Sequence, residues 1–90
     1  MKIKIIEFGP ETDSVIALYI DGELFEWGDW YHDKIGTWID GFLAGLRFTD
    51  TYFELDSLSL PIDNEIAGDI VKLGDSPPEK WSDLPLGELE

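Results

Sequence analysis

Two short apolar runs rich in β-branched residues stand in the first third of the chain, and each ends at a turn signal, which is typical of β-strands. One run rich in β-branched residues spans positions 2–8, and a second spans 14–20 and stops at Asp21-Gly22. An Asp-Gly pair between two apolar runs is a strong hairpin signal, because a type I′ turn requires positive φ at both central residues. The pattern therefore predicts a three-stranded antiparallel meander over residues 2–27.

The same turn sets the expected pairing of the second and third strands. With Asp21-Gly22 as the loop, a regular hairpin pairs Ile20 with Glu23, Leu18 with Phe25 and Ile16 with Trp27. Because residues two apart along a strand point the same way, this register places five apolar side chains on one side of the sheet. We expect this side to be the core face, and it consists of Ile16, Leu18, Ile20, Phe25 and Trp27.

After Gly28 the apolar period lengthens to three and four residues, which is the pattern of one helical face. The residues that follow it are Ile35, Trp38, Ile39, Phe42, Leu43 and Leu46. We predict a helix over about residues 30–47, with Asp29 as N-cap and Arg47 near the negative end of the helix dipole. Gly41 and Gly45 lie one turn apart and are expected to let the helix approach the sheet closely, although they equally suit a helix-mediated homodimer.

A further strand is predicted over residues 51–60, where acidic and apolar positions alternate. Phe53 and Leu55 fall on one side of this strand, whereas Glu54 and Asp56 fall on the other. Pro61 ends the strand because proline cannot donate a ladder hydrogen bond.

The last third of the chain has a weaker pattern. Residues 62–73 keep helical spacing behind a possible Asp63 cap, but 69–73 also suit a short strand. Residues 76–79 have the serine-then-proline form of a short helix start. We therefore predict an α+β fold: an antiparallel meander of three to four strands, packed by one central helix. Residues 1–73 form the domain, and 74–90 form an irregular acidic extension with a possible short helix.

The chain is strongly acidic, with 6 Lys and Arg against 20 Asp and Glu and a net charge of −14 over 90 residues. It is also 43% hydrophobic, so it can fill a core, which a disordered acidic chain cannot do. Residues 49–90 hold eleven acids and two bases, so they carry −9 of the −14. The C-terminal half is therefore the anionic half.

These bounds narrow the class of protein. The chain has no cysteine, which excludes disulfides and thiolate metal sites, and no apolar run approaches the roughly 20 residues of a membrane span. We expect a soluble, cytoplasmic protein. Its charge disfavours direct binding to nucleic acid or anionic lipid and favours a basic protein surface as the partner.

The sequence contains no convincing catalytic or metal-binding group. The single histidine, His32, lies three residues after Asp29 and suits either a metal ligand or a general base, but a polar first helical turn explains the pair better. Zinc requires at least three ligands, and no second histidine or cysteine supplies them. Glu54 and Asp56 fit a solvated strand face better than an acid and base pair. We therefore predict a protein that is not an enzyme and has no cofactor.

Four tryptophans divide into two groups. Trp27 and Trp38 fall on the expected core faces, whereas Trp30 and Trp81 lie off them and beside acids. Exposed aromatic residues with a charged rim are typical of protein interfaces, although a small cluster beneath the C-terminal segment explains the second group equally well.

The segments Glu26-Trp27-Gly28-Asp29-Trp30-Tyr31-His32-Asp33 and Ile39-Asp40-Gly41-Phe42-Leu43-Ala44-Gly45-Leu46 cover about a fifth of the chain. In these segments it resembles small uncharacterised acidic proteins encoded by bacteriophages of Gram-positive hosts. The resemblance implies a context in which proteins of this size often inhibit host nucleases, CRISPR effectors or other defence proteins, several of them as anionic decoys of nucleic acid. The resemblance assigns no functional residue to a position in this chain.

The sequence thus predicts a binding protein that occludes the nucleic-acid surface of a host nuclease or defence effector by charge mimicry. Glu54 and Asp56 lie roughly 6.6 Å apart along a strand, close to twice the roughly 3.4 Å axial spacing of phosphates on one DNA strand. Two alternatives remain: an immunity or antitoxin protein against a nuclease toxin, and a binder of a small ligand such as a nucleotide near residues 27–32. The expected partner-binding residues are Asp50, Glu54, Asp56, Asp63, Glu65, Asp69, Trp30 and Tyr31.

Overall fold

A computed structural model describes residues 1–10, 14–30 and 34–84. It shows a four-stranded mixed sheet and two helices, which confirms the predicted α+β class. The elements are β1 (Lys2–Phe8), β2 (Val15–Ile20), β3 (Glu23–Asp29), α1 (Ile35–Phe48), β4 (Glu54–Leu60), α2 (Glu65–Leu73) and a short 3₁₀ turn (Trp81–Asp83). In the described ranges no helix is long and apolar enough to cross a membrane.

The strands lie in the order β3-β2-β1-β4. The first three form the predicted antiparallel meander, and the turn between β2 and β3 has positive φ at both Asp21 (50°) and Gly22 (87°). The fourth strand pairs in parallel with β1, because the crossover through α1 returns the chain to the sheet end at which β1 begins. The N–H of Glu54 accordingly donates to the Met1 carbonyl at 2.9 Å.

The pairing of β2 with β3 differs from the expected register beyond its first pair. Ile20 lies opposite Glu23, but the register shifts between Leu18 and Tyr19, so that Leu18 lies opposite Glu26. The expected pairs of Leu18 with Phe25 and Ile16 with Trp27 are therefore wrong. A bulge adds one residue to a strand and re-aims the side chains beside it. As a result Phe25 stays 54% exposed rather than entering the core.

Both sides of the sheet are covered, and β2 is buried on both, which explains why its sequence is apolar throughout. We call the two sides the α1 face and the α2 face. The α1 face holds the buried cluster Ile3, Ile16, Leu18, Ile35, Ile39 and Leu43. The α2 face holds the buried cluster Ile6, Phe8, Val15, Ala17, Tyr19, Leu60, Ala67, Ile70 and Leu84.

The central helix begins later than expected. Trp30 lies in a turn, and its N–H donates to the Ser14 carbonyl at 3.0 Å, which extends the contact between β2 and β3 past the expected helix start. Asp29 is the last residue of β3 rather than a helix cap, and α1 instead follows Lys34, whose φ is 50°.

A Cβ at Gly41 or Gly45 meets no atom within 4 Å in the described ranges, so the expected close approach of these glycines to the sheet is wrong.

The segment that suited either a helix or a strand is the helix α2. Its N-cap is Asn64 rather than Asp63: the Asn64 Oδ1 accepts hydrogen bonds from the N–H groups of Ile66 at 3.0 Å and Ala67 at 3.2 Å. The helix ends at Gly74, whose φ of 75° favours glycine.

Residues 74–84 pack across the α2 face. The Tyr19 hydroxyl donates to the Pro78 carbonyl at 2.5 Å, and the N–H of Leu24 donates to the Glu79 carbonyl at 2.7 Å. The Trp81 ring meets the Tyr19 ring edge to face at 5.2 Å between centroids. The short helix expected here is the 3₁₀ turn, and Trp81 packs in a cluster beneath this segment.

Candidate functional site

The strand β4 is the most exposed strand of the sheet. Residues 54–59 are all exposed, and only Leu60 is buried. The strand lies at one edge of the sheet because β1, its single neighbour, is itself paired to β2 on the other side. An edge strand of seven residues presents a row of backbone groups about 20 Å long.

Glu54 and Asp56 share the α2 face of β4, as their spacing predicts. The parallel register places Lys2 opposite Glu54 and Lys4 opposite Asp56, so each carboxylate has a cationic neighbour on β1. The Lys4 ammonium also lies 4.9 Å from the centre of the Trp81 ring. Attraction between exposed neighbours of this kind is weak, roughly 0 to 1 kcal/mol, so the two acids still present negative charge along the strand.

The other predicted acids flank the strand. Asp50 lies in the exposed turn after α1 with φ of 56°, and its N–H donates to the Arg47 carbonyl at 3.1 Å. Asp63 and Glu65 are exposed at the opposite end, just after β4. Asp69 is half-buried within α2 and is the least accessible of the predicted acids. No Lys or Arg occurs between residues 49 and 71, so this stretch of the chain is uniformly anionic.

Trp30, one of the two predicted aromatic anchors, borders a groove on the α1 face. The groove has a volume of about 550 Å³ and runs from Trp30 across Ile5 and Ile16 to Ser57 and Ser59 of β4. The tryptophan is 48% exposed, and its ring lies against Gly36 so closely that a Cβ there would collide with it. The structure thus brings Trp30 to the acidic strand, although the Glu54 and Asp56 side chains lie on the opposite face.

Two residues from the sequence analysis lie outside the described part of the chain. These are Tyr31, the second predicted anchor, and His32, the single histidine. In the described ranges no group of three or more histidines, aspartates or glutamates is placed to hold a metal ion.

An exposed aromatic cluster was missed by the sequence patterns. Phe25 of β3 contacts Trp38 and Phe42 of α1, with ring centroids 6.0 and 5.5 Å away, and the two helical rings stack at 5.4 Å. Trp27 and Trp38 were both expected in the core, but they are 36% and 39% exposed. The spacing of Trp38 and Phe42 does indicate one helical face, and the expected hairpin already puts Phe25 on the sheet face with Leu18. The patterns do not indicate that Phe25 and Trp38 stay exposed.

The raised pKa of Tyr19 belongs to a structural residue. Burial, and secondarily the negative charge of Asp83, raises the pKa of Tyr19 to about 12. The hydroxyl is a hydrogen-bond donor within the core rather than a group that faces a cavity. It therefore fixes the C-terminal segment and offers no chemistry to a ligand.

No family model, curated protein or solved structure matches the chain. The likeness to acidic bacteriophage proteins and the function expected from it consequently stay predictions, and the site must be judged on its geometry and charge.

Proposed function

We propose that the protein is a non-catalytic, phage-encoded inhibitor that acts in the host cytoplasm. It binds the nucleic-acid surface of a host nuclease or defence effector and occludes it by charge mimicry. The observation that supports this proposal is the uniformly anionic stretch 49–71, in which six carboxylates occur without one base. Five of the six are exposed and lie along or beside the open edge of the sheet, whereas Asp69 is half-buried within α2.

The net charge destabilises the fold, which favours a functional reason for keeping it. A net charge of −14 on 90 residues destabilises a small domain through self-repulsion. The same field attracts a cationic partner, accelerates its association and repels nucleic acid from the complex. A nuclease channel that holds a phosphate backbone supplies the positive surface that this field complements.

The acids do not contribute equally. Glu54 and Asp56 lie opposite Lys2 and Lys4, whereas Asp50, Asp63 and Glu65 have no such register partner on a neighbouring strand. We therefore expect the three flanking acids to dominate the long-range attraction. Glu54 and Asp56 then contribute mainly to short-range recognition along the strand.

The test uses two triple variants with the same change in net charge. The first is Asp50→Lys, Asp63→Lys and Glu65→Lys; the control is Glu26→Lys, Asp40→Lys and Asp75→Lys, at exposed sites elsewhere. Each protein is immobilised and exposed to host lysate at low and at high salt. Captured proteins are identified and then assayed for nuclease activity with the purified inhibitor added.

We expect the wild type and the control to retain a basic nuclease at low salt and to inhibit it, with an association rate that falls steeply as salt rises. The first variant should lose at least tenfold in affinity, which corresponds to about 1.4 kcal/mol. Capture of a partner that both triple variants bind equally, with no dependence on salt, would rule out charge mimicry at this surface.

A further inference from the structure

The backbone groups of β4 alternate between the sheet and its outer edge. The Glu54 N–H donates to the Met1 carbonyl at 2.9 Å, and the Leu60 carbonyl accepts from the Gly9 N–H at 2.8 Å. In a parallel ladder, residues that bond to one neighbour alternate with residues that face the other way. The even-numbered residues of β4 therefore bond to β1. The N–H and carbonyl groups of Leu55, Ser57 and Ser59 point away from the sheet.

The opposite edge of the sheet is closed in a way that β4 is not. At β3 the Leu24 N–H donates to the Glu79 carbonyl, Glu23 pairs with Lys80, and a bulge interrupts the strand. Over the ranges 1–10, 14–30 and 34–84, no backbone hydrogen bond reaches the outer side of β4. Natural edge strands are commonly blunted by charged side chains, proline or a bulge. The strand β4 contains no proline or bulge, and its charged side chains, Glu54 and Asp56, are anionic, so they do not oppose a cationic strand.

There is also space for a neighbour. Residues 54–59 are exposed on both faces, and the groove beside Trp30 opens next to Ser57 and Ser59. A strand added at this edge would lie about 4.8 Å from β4, and its side chains would point alternately to the α1 face and the α2 face. Those on the α2 face would lie beside Glu54 and Asp56. Those on the α1 face would lie beside Leu55 and the groove.

We propose that β4 receives an extended basic segment of the partner as a fifth strand, hydrogen-bonded to Leu55, Ser57 and Ser59. This inference rests on the proposed function and specifies its mode of docking. The complementary segment alternates Lys or Arg with apolar residues, so that its bases meet Glu54 and Asp56 and its apolar side chains meet Leu55.

Charge identifies the occupant of this edge. A second copy of the chain would bring a further −14, including the same anionic stretch, to the edge that it must approach. A cationic strand is attracted by the flanking acids and by the two carboxylates within β4. The basic segment is therefore favoured over self-association.

The first test measures amide hydrogen exchange of the wild-type protein by NMR. The probe is a short synthetic peptide that alternates lysine with valine, and its control is the same peptide with N-methylated backbone amides, which keeps the charge but removes the strand hydrogen bonds. In the free protein the Leu55, Ser57 and Ser59 amides should exchange fast, whereas those of Asp56 and Leu58 exchange slowly. The peptide should slow the exchange of the first three at least tenfold, and the methylated control should not.

The second test is the variant Ser57→Pro, with Ser57→Ala as its control. Because the Ser57 N–H points outward, proline removes no hydrogen bond to β1, and proline is tolerated in edge strands at such positions. Ser57→Pro should bind the peptide at least tenfold more weakly than the wild type, whereas Ser57→Ala, which retains the N–H, should bind it equally. If the proline variant does not fold, the exchange measurement on the wild type alone tests strand addition.

The outcomes distinguish a failure of strand addition from a failure of the proposed function on which it rests. Slowed exchange at the three outward amides supports strand addition. Salt-dependent binding without that protection overturns strand addition but leaves charge mimicry standing. Protection that appears with protein concentration in the absence of peptide assigns the edge to a second copy and overturns the inference. Failure of both the peptide and its methylated control to bind at low salt overturns strand addition, whereas charge mimicry is judged by the lysate capture with the two triple variants.

Discussion

Tyr19 connects the middle of the sheet to the C-terminal segment. It is fully buried on the α2 face, and its hydroxyl donates to the Pro78 carbonyl. Ionisation would place a negative charge in the core and repel Asp83, which is why the pKa is raised to about 12. It would also remove the hydrogen bond to Pro78. The residue therefore makes the fold sensitive to alkali.

We predict a specific loss of stability between pH 10 and 12. The pKa of Tyr19 is about 12 in the folded protein and about 10 when unfolded, so its contribution is complete below pH 10 and is lost as the pH rises toward 12. The loss amounts to about 2 to 3 kcal/mol of unfolding free energy. Urea titrations at several pH values measure it.

The matched control is Tyr19→Phe. This variant should be about 1 to 3 kcal/mol less stable than the wild type at neutral pH, because the Pro78 carbonyl loses its donor. The difference in unfolding free energy between the wild type and Tyr19→Phe should become smaller from pH 10 to pH 12, because the phenylalanine cannot ionise. A difference that stays constant over this range would contradict the raised pKa.

At the scale of an element, the glycines of α1 differ in whether an added side chain fits. Gly36 lies under the Trp30 ring, whereas Gly41 and Gly45 face open space. Glycine within a helix costs about 0.5 to 1 kcal/mol relative to alanine, so the same substitution has opposite consequences at these positions. Gly36 leaves room for the Trp30 ring, whereas a Cβ at Gly41 or Gly45 would meet no atom within 4 Å in the described ranges.

We predict that Gly41→Ala raises the unfolding free energy by about 0.5 to 1 kcal/mol, because a Cβ there meets nothing within 4 Å. Gly36→Ala should lower it by about 1 to 3 kcal/mol, since the added methyl group displaces the Trp30 ring. Urea denaturation gives both values, and a shift in tryptophan emission should accompany only the second. Equal effects of the two substitutions would show that the ring does not rest on Gly36.

The existence of most elements could be predicted from the sequence, but their junctions could not. Apolar periodicity identified the strands and α1, and Asp21-Gly22 identified the hairpin turn, because these signals are local. The start of α1 was wrong because Trp30 bonds to Ser14 across the sheet, which no local propensity reports. The bulge beside Leu18 was missed for the same reason, and the exposure of the cluster around Phe25 was missed as well.

At the scale of the molecule, the acidic surface could be predicted but its organisation could not. Counting charges located the anionic half of the chain, residues 49–90, which carries −9 of the −14. The parallel pairing of β4 with β1, which places two lysines opposite Glu54 and Asp56, depends on a crossover through the whole of α1. The open edge of β4 follows from that same topology. Its partner preference remains a proposal that the exchange experiment decides.

Self-repulsion should dominate the response of the whole molecule to salt. We predict that the melting temperature rises as ionic strength increases to about 0.15 M, where the screening length falls to about 8 Å. Calorimetry at fixed neutral pH measures the change, and an uncharged osmolyte at the same osmolality provides the control. A melting temperature that falls with added salt would show that local pairs such as Lys4 with Asp56 outweigh the repulsion.

The strand order has a consequence for synthesis on the ribosome. The first strand occupies an inner position of the finished sheet, yet its outer neighbour consists of residues 54–60 and emerges only after the meander and α1. While the chain is growing, β1 is itself an edge, and Lys2 and Lys4 are the charges that discourage its pairing with other nascent chains. The two lysines thus protect the unfinished protein before β4 arrives and they become the neighbours of its carboxylates.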